Sequence, residues 1–256
     1  MRVAPIAGGA ERTLTRAPGH YLETAWSPEG CTVAYRRIGS DGLRGTLHAR
    51  DVGVYVVPAA GGDARLVTRQ GSRPRFNANG DRLYLAGREG QNAALVSVDL
   101  HGGDRRVHLT SEAAVDFVPS PDERYVAVSE RFHVFVAPFP RTGQAVSIGP
   151  RAAAYPLTRV SRDAGYYLHW SGDGRRLHWA LGPQLYTRDL ARTFTFAEGA
   201  DTVVAGPDTI GVDIGFRAPL ARPEGMTALV GATVITMEGD EVVPNATVLV
   251  DRNRIV

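Results

Sequence analysis

The side chains best suited to chemistry in this chain are its seven histidines, and their spacing decides whether they could hold a metal. None stands in a His-x-His motif, and none pairs with a carboxylate at the spacing that places two ligands on one helix face. His169 and His178 flank one predicted turn and could face each other across two strands. A metal pair there is conceivable, but polar packing beside the neighbouring tryptophans is favoured. The sequence therefore predicts no catalytic, cofactor-binding or metal-binding residue. The histidines are His20, His48, His101, His108, His133, His169 and His178.

The aspartates singled out in this sequence lie within predicted turns. Asp side chains bond nearby backbone amides and so favour turns, which explains these positions without a ligand. The run Glu238–Glu241 lacks the spaced oxygen ligands of an EF-hand loop and is predicted to be a solvated turn. The aspartates in predicted turns are Asp41, Asp51, Asp63, Asp81, Asp104, Asp122 and Asp173.

Serine and cysteine are the two residue types considered as catalytic nucleophiles. No Gly-x-Ser-x-Gly elbow occurs, which argues against a serine α/β-hydrolase such as the prolyl-oligopeptidase relatives. The single cysteine, Cys31, excludes an internal disulfide framework. Its position between a turn and a strand predicts a buried small hydrophobe rather than a nucleophile.

Composition narrows the class of protein. The 256 residues, 43% of them hydrophobic, can bury one good core and part of another. The net charge of +2 gives no electrostatic case for nucleic acid or a membrane surface. No apolar run approaches the ~18 residues of a membrane span. We expect no signal peptide in this chain, and because it resembles a fragment we leave the compartment open.

A tight turn between an aromatic residue and an alternating apolar strand recurs four times. In Ser27-Pro28-Glu29-Gly30, Pro fixes φ, Ser can bond backbone amides and Gly closes the turn. The aligned positions are 50, 43 and 51 residues apart, close to the ~40–50 residues of a propeller blade. The turns open at Ser27, Asn77, Ser120 and Ser171, and we expect the aromatic residues before them to occupy equivalent inter-blade positions: Trp26, Phe76, Phe117 and Trp170.

Glycine pairs form a second repeat in register with the first. Such a pair supplies the positive φ of a primed hairpin turn, so we predict that each marks the outer hairpin of a blade. Val134–Pro140 with Gly143, and Leu185–Phe196, are interpreted as degenerate copies. The pairs are Gly8-Gly9, Gly61-Gly62 and Gly102-Gly103.

Together the repeats predict four blades preceded by an orphan outer hairpin, Arg2–Thr15. Either that hairpin closes a small ring by pairing with the last blade, or further blades precede it, which is favoured. The pattern resembles the TolB-like (PD40) β-propeller repeat over residues 1–196, and such propellers usually have six or seven blades. The predicted blades are His20–Thr68, Ser72–Thr110, Ala114–Ile148 and Gly165–Phe196.

Beyond the blades, Pro and Gly mark residues 197–225 as a linker, within which Val212–Phe216 could form one more strand. Residues 226–256 then predict a β-hairpin. Leu229–Met237 and Ala246–Val250 are β-rich runs on either side of the Glu238-Gly239-Asp240 turn.

This last segment resembles the opening of the metal-dependent amidohydrolase superfamily, of the imidazolonepropionase-like kind. The resemblance rests on Gly231–Ile235, Asn245–Val250 and Asn253–Val256 at this spacing. It implies a small β-sandwich leading into a (β/α)₈ barrel, where one or two divalent metals, usually zinc, activate water for attack on a C–N or related bond. None of the family's metal ligands matches a residue of this chain.

The predicted fold is thus all-β: a β-propeller of about four blades, then a short hairpin of an amidohydrolase β-sandwich. One functional hypothesis is the propeller portion of a metal-dependent hydrolase acting on a small-molecule or peptide substrate. Its partner would be the missing barrel, zinc or another divalent metal would belong to the longer protein, and this chain alone would be inactive. The alternative is a TolB-like scaffold that binds a protein or peptide in its central channel without catalysis.

Overall fold

The structure is a computed structural model that describes residues 1–17, 19–39, 51–140, 142–149, 155–197, 199, 203–220 and 224–256. It divides into two compact units, Met1–Ile214 and Gly215–Val256. The described residues form β-strands and one 3-10 helix, Leu190–Arg192. None of their helices is long and apolar enough to cross a membrane. Asp41 and His48 lie outside the described residues.

The N-terminal hairpin packs on the first blade. Its strands, β1 (Arg2–Val3) and β2 (Arg12–Thr13), form a separate two-stranded sheet. Leu14, which is 4% exposed, joins a core with Val33 of the first blade. Within the described part of the chain the hairpin pairs with no other sheet. Closure of a ring by pairing with the last blade, one of the two arrangements open from the sequence, is therefore wrong, because the hairpin's apolar side chains pack on the first blade instead.

Blades 1 and 2 each contain an antiparallel meander of four strands, as the repeats predict, and the sheet of blade 2 gains a fifth, parallel strand from farther along the chain. The turn glycines Gly61 and Gly102 have φ values of 93° and 84°, so both outer hairpins use the left-handed conformation that glycine allows. The strands are β3 (His20–Trp26), β4 (Thr32–Gly39), β5 (Gly53–Pro58) and β6 (Arg65–Thr68) in blade 1, and β7 (Ser72–Phe76), β8 (Arg82–Glu89), β9 (Asn92–Asp99) and β10 (Arg106–Ser111) in blade 2.

The four predicted turns share one hydrogen-bond pattern, which confirms the repeat. Ser27 Oγ accepts a hydrogen bond from the Thr32 amide at 2.9 Å, and the Ser27 amide donates to the Thr32 carbonyl at 2.9 Å. The same exchange joins the other three turn-opening residues to the residue five positions on. Each turn thus satisfies its own backbone groups locally. The other three pairs are Asn77 with Arg82, Ser120 with Tyr125, and Ser171 with Arg176.

Blades 3 and 4 take their outermost strands from farther along the chain than the sequence predicts. Val146–Ser147 pairs in parallel with β10 of blade 2, because this places the neighbouring Ile148 in the core between blades 2 and 3. Thr158–Arg159 completes blade 3, and Val212–Asp213, from the predicted linker, completes blade 4. The strands are β11 (Ala114–Pro119), β12 (Tyr125–Glu130), β13 (His133–Pro138), β14 (Val146–Ser147), β15 (Thr158–Arg159), β16 (Tyr166–Trp170), β17 (Arg176–Leu181), β18 (Gln184–Asp189) and β19 (Val212–Asp213).

Apolar cores lie between successive blades, and three of the four repeat aromatics enter them. Phe117 and Trp170 are 2% and 4% exposed, and Phe76 packs partly buried against the core between blades 1 and 2. The expectation is wrong for Trp26, which is 51% exposed. Each of the other three packs on the blade before its own, whereas blade 1 is preceded by the short hairpin, whose contacts are with Val33 and its neighbours.

The second unit is a three-stranded antiparallel sheet of its own, which confirms the predicted hairpin. Gly239, with φ of 59°, lies in the predicted turn. The unit's apolar side chains remain largely exposed; Leu229 is 55% and Val230 77% exposed. Its strands are β20 (Met226–Ile235), β21 (Val242–Asp251) and β22 (Arg254–Ile255).

Candidate ligand-binding cavity

The first strand of every blade shifts register, and in three of them the bulge holds a non-glycine residue at positive φ, which the sequence did not indicate. Glu23, Arg73 and Tyr167 each lie three residues before the repeat aromatic and have φ values of 56°, 52° and 58°. The strand register shifts at each of these positions. Non-glycine residues rarely adopt this left-handed conformation, and bulges commonly re-aim a side chain next to a functional site. The three equivalent bulges make the inner strands the first place to look for a ligand.

All three bulge residues line one cavity of about 940 Å³, here called the inner cavity. Its walls come from the first strands of all four blades, β3, β7, β11 and β16, and from the turns that follow them. Exposed aromatic rings border it, with Trp26, Tyr166 and Tyr167 at 51%, 47% and 87% exposure. Its volume lies at the upper end of the ~300–1,000 Å³ usual for ligand pockets, so an extended ligand would fit better than a single small molecule.

Charged side chains connect the walls of the inner cavity from blade to blade. Glu23 of blade 1 accepts a hydrogen bond from the Arg73 amide of blade 2 at 2.5 Å, and Arg36 donates to its other carboxylate oxygen at 3.3 Å. Arg75 then makes a forked pair with Asp116 of blade 3 at 3.4 and 3.3 Å. These bonds hold the inner strands in a fixed arrangement, and they pair the cavity's acidic groups with its arginines.

A hydrogen bond from a tryptophan side chain connects blades 3 and 4. Trp170 Nε1 of blade 4 donates to the carbonyl oxygen of Val118 in blade 3 at 2.8 Å, and both residues are 4% exposed. A buried indole N–H usually finds such a partner. The charged residues that line the inner cavity are two arginines and two carboxylates: Glu23, Arg73, Arg75 and Asp116. The balance favours a ligand held by aromatic contact and hydrogen bonds over one held by strong net charge.

The predicted turn role is confirmed for Asp122 and Asp173, whose carboxylates also accept from the backbone amides two residues on, whereas Asp104 pairs with Arg82 and Arg106. Asp122 and Asp173 each accept a hydrogen bond from the serine hydroxyl two residues before them at 2.5 Å. The bond from Ser171 is the main cause of the lowered pKa of Asp173. Across the described part of the chain, no group of three or more His, Cys, Asp and Glu could hold a metal ion.

Two residues differ from the sequence interpretation. Cys31 is exposed, not buried, because the turn before β4 leaves its side chain outside the sheet, with Sγ 3.7 Å from the Glu29 carbonyl oxygen. His108 forms an unexpected partly buried cluster: its Nε2 lies 2.8 Å from Ser97 Oγ, and its ring packs on Tyr84 and Phe139. Desolvation lowers the His108 pKa to about 4.

Two solved structures resemble this arrangement of blades. TolB from Acinetobacter baumannii matches with a TM-score of 0.53 at 12% identity, over 98% of this chain and 57% of that chain. A chain of a nidogen/laminin complex matches with a TM-score of 0.53 at 12% identity, over 74% of this chain and 67% of that chain. The chain has a TolB-like β-propeller fold.

Identity at this level establishes the fold alone. No family model and no curated protein matches the sequence. The chain spans little more than half the length of the matched TolB. Activity, substrates and partners, including those implied by the amidohydrolase resemblance of residues 226–256, are therefore matters for proposal.

Proposed function

We propose that the propeller unit is a binding module that receives an extended peptide segment in the inner cavity. The observation that carries this proposal is the convergence of Glu23, Arg73 and Tyr167 on one cavity from three bulged inner strands. Backbone strain of order 1–3 kcal/mol at each such residue persists only where the surroundings hold it, and it concentrates at ligand sites. Repetition of the strain at equivalent positions in three blades fits a shared role in presenting side chains to a ligand.

The chemistry of the lining specifies the kind of peptide. Trp26, Tyr166 and Tyr167 offer broad ring faces, and Arg73 and Asp116 offer hydrogen-bonding groups that are already paired. Aromatic rings gain most from apolar and aromatic partners, worth about 0.5–1.5 kcal/mol per pair beyond area burial. A segment with aromatic or aliphatic side chains and little net charge therefore fits the inner cavity best.

Selection from a displayed library of short random peptides tests this function. We expect the selected peptides to be rich in aromatic residues. Tyr167→Ala should weaken their binding at least about tenfold, equivalent to about 1.4 kcal/mol. The matched control is Phe132→Ala, since Phe132 is 64% exposed and does not line the inner cavity. Equal binding by both variants would contradict the proposal.

A second candidate function comes from the other unit. We propose, on its resemblance to the amidohydrolase opening, that Gly215–Val256 begins the β-sandwich of a metal-dependent hydrolase. The supporting observation is a hairpin of two ten-residue strands whose apolar side chains, among them Ile235 and Leu249, lack a covering layer in the described residues; they are 66% and 38% exposed. A sandwich hairpin needs a packed partner sheet, because a lone hairpin is marginally stable.

Reading the gene beyond Val256 tests the hydrolase candidate. A His-x-His motif within about thirty codons, followed by zinc-dependent hydrolysis of amide substrates by the longer protein, would support the hydrolase, in which zinc activates water. A stop codon directly after Val256 would leave the binding module as the function of this chain. Neither result changes the expected peptide binding by the inner cavity.

A further inference from the structure

The open face of blade 4 carries two histidines that the strand register places side by side. His169 of β16 and His178 of β17 are direct partners across the antiparallel pair. Side chains in such pairs project from the same face, with Cβ atoms about 4.5–5.5 Å apart. The next pair along, Trp170 with Leu177, points the other way into the core between blades 3 and 4. The histidines therefore share the face that is turned away from that core.

A third residue extends this row and orients one ring. Thr187 of β18 lies directly opposite His178, and its Oγ1 is 2.8 Å from His178 Nδ1. Either atom can be the donor in this contact; in the tautomer with the proton on Nδ1, which donates to Thr187 Oγ1, the lone pair on Nε2 is free. Metal-binding histidines usually have their second ring nitrogen fixed by such a partner. His169, the other ring, is exposed at the border of the inner cavity.

A charged neighbour also bears on the pair. Arg176 lies on the same strand face as His178 and opposes a cation there, and its register partner is Asp189. Desolvation, followed by the charges of His169 and Arg176, lowers the pKa of His178 below its ordinary value.

We propose that His169 and His178 form a two-histidine site for a divalent transition-metal ion such as zinc. Zinc–nitrogen bonds of about 2.0–2.1 Å allow two opposed imidazoles to reach one ion. No third His, Cys, Asp or Glu joins them in the described part of the chain. Water or a donor from a bound ligand would complete the coordination, so the site has open positions beside the inner cavity.

Zinc titration calorimetry on the tag-free chain at neutral pH tests the site. The wild type should bind one Zn²⁺ saturably, and His169→Gln or His178→Gln should each weaken that binding at least about tenfold. His20→Gln is the matched control, because His20 is an exposed strand histidine that is not paired with another histidine in the sheet register. Thr187→Val should weaken binding by a smaller factor through loss of ring orientation.

Thermal unfolding separates loss of the site from loss of the fold. Without zinc, His169→Gln should melt at the wild-type temperature, since the His169 ring is exposed, and His178→Gln should melt close to it, since glutamine can keep a hydrogen bond to Thr187. With excess zinc, the melting temperature should rise in the wild type and in His20→Gln but not in the two variants, because a ligand that binds only the folded state stabilises it. Absence of saturable binding to the wild type, or undiminished binding by either variant, would overturn the proposal.

Discussion

Arg188 donates a hydrogen bond from Nε to Oδ2 of Asp208 at 2.8 Å, although its side chain is only 1% exposed. The same guanidinium group also donates to carbonyl oxygens at Arg192 and Gly206. The Asp208 amide in turn donates to Val160 of blade 3 at 2.8 Å. The Arg188–Asp208 pair thus holds part of the predicted linker, residues 197–225, against blades 3 and 4.

Removal of the carboxylate should destabilise the propeller strongly. Asp208→Ala leaves the buried Arg188 charge without its partner, and such changes cost about 3–5 kcal/mol. We expect a fall of about 3 kcal/mol in the free energy of unfolding, measured by urea denaturation. Glu89→Ala, which breaks an exposed pair with Arg105, is the control and should cost no more than about 1 kcal/mol. Similar losses in both variants would contradict this role.

Contact between blades 1 and 2 makes one repeat glycine far less replaceable than its equivalent. Gly61 and Gly102 both have positive φ, but a Cβ at Gly61 would meet open space, whereas one at Gly102 would overlap the Val67 carbonyl oxygen. Gly61→Ala should cost only the left-handed strain, about 1 kcal/mol. Gly102→Ala should cost clearly more in the same urea assay. Equal costs would mean that the blades do not approach each other there.

Acid should weaken the propeller through His108. Its pKa is lowered to about 4 from an ordinary 6.5, first by burial and then by Arg82 and Arg106. The unfolded chain then takes up this proton at higher pH than the folded one, so stability present above pH 6.5 is lost as the pH falls towards 4. Melting temperatures should drop less between pH 7 and 5 in His108→Phe than in the wild type. An unchanged drop, or the same reduction in His133→Phe, would refute the assignment.

The second unit should exchange its amide hydrogens faster than the blades. Strand β20 is an edge strand with exposed apolar side chains, and a small sheet without a packed layer opens easily. Exchange measured by mass spectrometry should be fast across Met226–Asp251 and slow across β12, where Val126 and Val128 are fully buried. Slow exchange of the hairpin in a monomer would be the contrary result.

Local chemistry explains which parts of the fold were predictable. The Ser27 turn and its three copies follow from short-range bonds between residues five positions apart, so their sequence signature suffices. The outer strand of blade 3, Thr158–Arg159, was missed, because it is two residues long and carries no alternating pattern. The outer strand of blade 4, Val212–Asp213, lies within the possible strand Val212–Phe216, but its pairing with β18 was not predicted because it reaches that sheet from a distance along the chain.

The two candidate sites, the histidine pair and the inner cavity, also differ in how far the sequence predicts them. His169 and His178 could be placed opposite each other from their positions around one turn. The bulge residues could not be predicted, because Glu, Arg and Tyr have no preference for positive φ and only the assembled blades hold Glu23, Arg73 and Tyr167 there. All three residues stand three positions before a repeat aromatic, but this spacing alone does not predict a bulge.

Amide exchange with and without a selected peptide tests most directly whether the inner cavity is a binding site. Peptide should slow exchange around the three bulges, at residues 22–25, 72–75 and 166–169, and leave the second unit unchanged. Tyr167→Ala should remove that protection at the same peptide concentration. Protection confined to other surfaces, or equal protection in the Tyr167→Ala variant, would contradict the proposed function.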